Sequence, residues 1–151
     1  MTNQEKRGYE AIQTAYALLA AKINDDKYGI SLLIPEQDHQ LMDTIEALLV
    51  SIYLTVKNTP AEKALDLTLL NKLSPELKEI IIKVNNKSIK SESQPLEIIL
   101  LANPGFTPEA IIGKLLIDFE KIWLTKYDSR ILALKKVQEI CQINLEFSLK
   151  N

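Results

Sequence analysis

The 151-residue chain contains one cysteine, one histidine, two arginines and four glycines, and each scarcity excludes something. A lone Cys141 cannot form an intramolecular disulfide. One His and one Cys supply too few donors for a zinc site of the usual ligand types. No metal and no cofactor is therefore expected. With only two arginines against sixteen lysines, bidentate recognition of bases or phosphates has little to work with. Sheets and tight hairpins draw heavily on turn glycines, so four glycines favour helices joined by short connections.

Long apolar runs are missing too. The richest, Ala47 to Val56, is broken by Ser51 and Thr55 and falls short of the roughly 20 residues that span a bilayer. Met1 to Arg7 is polar, and no apolar segment follows a basic start, so neither a signal peptide nor a membrane partner is expected. The expected location is the cytoplasm. A net charge of −2 gives no bulk electrostatic pointer to a partner. Nor do Gly-x-Ser-x-Gly, Walker or Gly-x-Gly-x-x-Gly patterns occur.

What is present is a globular composition, 46% apolar and 25% charged, in a chain of ordinary domain size. Tyr9, Ile12, Tyr16, Leu19 and Ile23 recur at three- and four-residue spacing and predict a helix over Asn3–Ile23. Tyr28 to Ile34 reads as an apolar connector, extended in one alternative. Leu41, Ile45, Leu48, Ile52 and Val56, with Met42, Leu49 and Tyr53 alongside, predict a second helix over 36–57 with an unusually wide apolar face.

Three cap-plus-proline signals follow: Thr59-Pro60, Ser74-Pro75 and Thr107-Pro108. They predict helices from 59 to about 73, from 75 through Val84, and from 108 to about 127. A polar stretch over 85–94 reads as a flexible loop. Leu96 to Ala102 reads as a brief buried helix, although residues 79–84 and 97–101 could instead pair as a hairpin. Asp128 is expected to cap the last helix, with apolar stripes through Ile131, Leu134, Cys141 and Leu145 and through Val137, Ile140, Asn144 and Phe147. The expected fold is all-α: one domain over 1–151, a compact bundle of about five to seven helices, the last two long and antiparallel.

Candidate chemistry is sparse. His39 and Asp43 stand one turn apart, but on a polar face where solvated side chains belong. The carboxylate pairs Glu62/Asp66 and Asp118/Glu120 are interleaved with lysine, as on an ordinary helix surface. Cys141 falls on an apolar stripe, where a free thiol packs as a small hydrophobe. The expectation is a non-enzymatic protein–protein interaction module or assembly subunit. Its interface is placed on Leu41, Ile45, Leu49, Ile52, Tyr53, Ile140 and Phe147, and a second copy is the simplest partner. One alternative is an accessory nucleic-acid-contacting subunit using Lys121, Lys126, Arg130, Lys135 and Lys136. Another is a carrier of a small apolar ligand, or an enzyme with a dispersed site. In size and helical content alone the chain resembles the small all-helical subunits of RNA-guided defence complexes, an architectural likeness that no motif carries.

Overall fold

In the computed structural model the described residues are 1–57, 64–88, 91 and 94–150. They form eight helices in the order α1 (Asn3–Ile23), α2 (Lys27–Leu33), α3 (Asp38–Val56), α4 (Leu67–Leu70), α5 (Pro75–Asn85), α6 (Gln94–Ala102), α7 (Pro108–Tyr127) and α8 (Arg130–Lys150). The all-α expectation holds; the number of helices exceeds the expected five to seven. Among the described residues the only β-type pairing is one backbone bridge, Lys57 with Leu65.

The start and stop signals explain most of the boundaries. The Thr2 hydroxyl accepts from the Glu5 amide at 3.1 Å and caps α1. At its other end Asp25 takes a left-handed conformation (φ 53°), and the Asp26 amide reaches back to the Ala21 carbonyl. That bond, with Asp25 N–H to Lys22 C=O, makes a Schellman closure. Asp26 then caps α2 through the Gly29 amide at 2.8 Å, so the expected connector over 28–34 is a short helix. A Cβ at Gly29 would lie 2.3 Å from the Asp26 carboxylate, which would have to shift and loosen its cap.

Two other boundaries depart from expectation. The helix predicted over 59–73 shrinks, within the described residues, to the single turn of α4, capped by Asp66. Residues 64–66 are not helical, because the bridge to Lys57 and the Asp66 N–H to Val56 C=O bond use their backbone groups. The Thr59-Pro60 signal itself lies outside the described residues. Asp128 does not cap α8; it closes α7 in a left-handed conformation (φ 57°), and the Ser129 hydroxyl accepts from Leu132 N–H instead. The hairpin alternative fails, since both of its arms are helical, in α5 and α6.

The core is built on α1, α3 and α7, with Leu18, Leu19, Ile45, Leu48, Ile52, Phe119 and Trp123 fully buried. Four aromatic rings form its centre. Tyr16, Phe119 and Trp123 meet edge to face at 5.6–5.7 Å, and Tyr127 tilts over Trp123 at 4.7 Å. Trp123 also donates Nε1–H to the Ala133 carbonyl at 3.0 Å, which ties α8 to α7. Beyond that tie α8 settles mainly on α1 rather than alongside α7, correcting the expected antiparallel pair. Asn144 donates to the Tyr9 carbonyl and to Gln13 Oε1, both at 3.0 Å. Of the two stripes expected on α8, only Val137 and Asn144 are buried, joined by Ala133, which neither stripe included; Ile131, Leu145 and Phe147 are exposed.

Two stability changes follow. Trp123→Phe keeps a ring but loses the bond to Ala133, and should cost about 2 kcal/mol in urea-induced unfolding. Lys87 ends α5 at φ 56°, where a non-glycine residue is strained. Lys87→Gly should therefore raise stability by about 0.5–1 kcal/mol in the same assay, and a loss would show that the strain is relieved elsewhere.

Candidate functional site: an apolar groove between α3, α5 and α6

Helix α3 carries more apolar surface than its contacts with α1 and α7 consume. Leu41, Ile45, Leu48 and Ile52 point into the core, and the neighbouring stripe of Leu49 and Tyr53 turns toward α5 and α6. Helix α5 offers Ile80, Ile81 and Val84 to the same space, and α6 begins there with Pro95 and Leu96. These three elements enclose an open groove of about 400 Å³. Leu49, Ile80 and Ile81 are buried and make its floor, while Val50 stands on the rim with 53% of its surface exposed.

Few polar groups interrupt this surface. Glu46 lies at the margin. The Tyr53 hydroxyl donates to Asn85 Oδ1 at 3.2 Å, and the Lys57 ammonium sits 5.1 Å above the Tyr53 ring. A groove of this size and polarity has room for a few apolar groups and offers few hydrogen-bonding partners.

The structure distributes the residues expected at an interface among three environments. Leu41, Ile45, Leu49 and Ile52 are buried within the chain itself and serve its own packing. Tyr53 is half-buried on the groove wall, and Ile140 is half-buried against the core. Phe147 is 55% exposed on α8. These seven residues do not converge on one surface.

The expected basic strip is partly committed to structure. Lys126 donates to the Thr55 carbonyl at 2.9 Å, closing the C-terminal end of α3, and burial lowers its pKa. Lys136 pairs with Glu139 at 3.2 Å. Lys121, Arg130 and Lys135 remain exposed.

The other candidate groups have structural partners as well. Arg7 binds Asp43 through two bonds, Nε to Oδ2 at 2.9 Å and Nη2 to Oδ1 at 3.0 Å, beside His39 in a surface hollow. Asp118 is buried and accepts from the Ser74 amide at 3.2 Å, so the start of α5 is capped from α7. Glu120 pairs with Lys22 at 2.8 Å. Asp66 caps α4, and Glu62 lies outside the described residues. Cys141 is half-buried, and burial raises its pKa. Among the described residues no group of three or more His, Cys, Asp or Glu side chains could hold a metal ion. No described helix is long and apolar enough to cross a membrane.

A polar cluster that the sequence did not announce joins α5, α6 and α7. The Lys114 ammonium bonds Glu76 Oε1 at 3.1 Å and Asn103 Oδ1, and lies 4.8 Å above the Phe106 ring. Asn103 is itself buried and donates to the Ile99 carbonyl at 2.7 Å. Among the described residues no buried side-chain polar atom lacks a partner, and the cluster acts as a clamp on the end of α6.

The titrating core groups set an alkaline limit. Burial raises the pKa of Tyr16, Tyr127 and Cys141. Each loses its proton more readily in the unfolded chain, so between about pH 9 and pH 11 the unfolded state binds fewer protons and stability falls as pH rises. Lys126, with its pKa lowered, contributes with the opposite sign and offsets part of this. The midpoint of thermal unfolding should be lower at about pH 10 than at pH 7. Alkylation of Cys141 at about pH 8 should be slower than that of an unstructured thiol. A rate matching the free thiol would contradict its placement.

No family model matches this chain, and neither a curated protein nor a solved structure matches it.

Proposed function

We propose that the protein is a non-enzymatic binding module whose groove between α3, α5 and α6 receives an apolar segment of another protein. The observation that carries this reading is the groove itself: about 400 Å³, floored by Leu49, Ile80 and Ile81, with Val50 exposed at its edge. An open, mostly apolar trough suits a few side chains presented by a helix or short strand. Tyr53 and Asn85 supply the polar mark that fixes orientation. The openness of the trough favours a protein segment over a small ligand, because carriers enclose most of their ligand's surface.

Val50→Lys tests the proposal without disturbing the core, since the new side chain starts from an exposed position. A photo-reactive residue at position 50 should crosslink to an apolar stretch of one partner in its native cells. Tagged protein carrying Val50→Lys should recover that partner at least fivefold less than the unchanged chain does. Equal recovery by the two would remove the groove from the account. A small apolar molecule released from the purified protein on denaturation would replace the protein segment as its occupant.

A further inference from the structure

The placement of charge on α8 is unlike that on the other long helices. Glu5, Asp38, Glu76, Glu97 and Glu109 stand in the first turns of α1, α3, α5, α6 and α7, where the helix dipole favours an anion. Helix α8 has no acid there and instead opens on Arg130, with Lys135 and Lys136 soon after. Its acids, Glu139 and Glu146, come in the later part, ahead of Lys150 in the last turn. For an isolated helix the early cations are unfavourable by a few tenths of a kcal/mol each, roughly.

The same charges occupy an open face. Ala133, Val137 and Asn144 turn toward the body of the protein. At about 100° per residue, Leu132, Lys135, Lys136, Glu139, Ile143 and Glu146 fall in an arc on another side. Leu132 and Ile143 are 41% and 52% exposed, large apolar side chains standing in water between the charges. The face thus has a basic beginning, an acidic later part and apolar groups in both.

We infer that this face binds its own copy, with two α8 helices packed antiparallel. That orientation sets the basic beginning of each helix against the acidic part of the other and opposes the two helix dipoles. About an axis near residues 139–142, Lys135 of each copy meets Glu146 of the other, twice by symmetry. Ile143 then covers the aliphatic stem of Lys136 across the interface. Glu139, nearest the axis, already has Lys136 of its own chain at 3.2 Å as counter-ion. A parallel pair would instead place like charges side by side along the whole length. The inference concerns a different surface from the groove and stands or falls independently of it.

A helix of 21 residues is about 32 Å long, which makes a small interface, so the expected dissociation constant is micromolar in order of magnitude. Sedimentation velocity from about 1 to 500 μM at low salt should show a monomer giving way to a dimer. Lys135→Glu and Glu146→Lys, both at exposed positions, should each keep wild-type helicity and each weaken the dimer about tenfold or more. An equimolar mixture of the two variants should restore association, because Glu at 135 then faces Lys at 146 and Lys135 faces Glu146. The inference is overturned by a monomer across the whole range. It is equally overturned by a dimer indifferent to either reversal, or by a mixture that fails to recover.

Discussion

The burial of Trp123 is the constraint on which the rest of this fold depends. Its ring is the hub of the aromatic cluster, touching Tyr16 of α1, Phe119 one turn earlier and Tyr127 one turn later. Its indole N–H reaches α8 through the Ala133 carbonyl. An indole buried without a hydrogen-bond partner would cost a few kcal/mol, roughly, so the position of α8 and the packing of α7 are set together. Tyr16 carries the cluster onto α1, where its ring meets Phe119 and Trp123 edge to face. Three helices are thereby tied together by ring contacts and by one indole hydrogen bond.

With α1, α3 and α7 so fixed, the smaller helices fill what remains. Helices α5 and α6 close over the far side of α3 but leave Val50 and Tyr53 incompletely covered, and the groove is that shortfall. The Asp118 bond to the Ser74 amide and the Lys114 clamp explain why the shortfall persists. Each pins one of the covering helices to α7 rather than letting it slide down onto α3. The open trough is therefore held by polar contacts on its outer side.

Much of this was legible in the chain. The bounds of α1 and α7 follow from apolar spacing, with Thr107 as the cap of α7, and the start of α5 from Ser74-Pro75. The stripe Leu41, Ile45, Leu48, Ile52 and Val56 is core as its periodicity demands. The groove left only a trace, the excess width of the α3 face, because it depends on how three separate helices are placed and not on any local pattern. The interface residues read from that width illustrate the difficulty. Periodicity identifies apolar residues but cannot say which of two adjacent stripes meets the chain's own core, so Leu41 and Tyr53 were grouped together though one is interior and the other lines a wall. On α8 the opposite happened: Ile131, Leu145 and Phe147 fit a helical spacing, yet α1 and α7 occupy one narrow side of that helix and leave them outside. The α2 helix was hidden because its only start signal, Asp26, also sits in the turn that ends α1.

The seating of α8 on α1 has a further consequence, for synthesis. Asn144 closes on Tyr9 and Gln13, separations of 135 and 131 residues. On a ribosome adding about 5–20 residues per second, the first helix must wait on the order of ten seconds for the helix that covers it. Through that interval Tyr9, Ile12 and Tyr16 have only part of their final surroundings, and contacts of such long range also slow the last step of folding. The nascent chain thus carries the apolar surface of α1 to α7 without one of its covers until α8 has emerged.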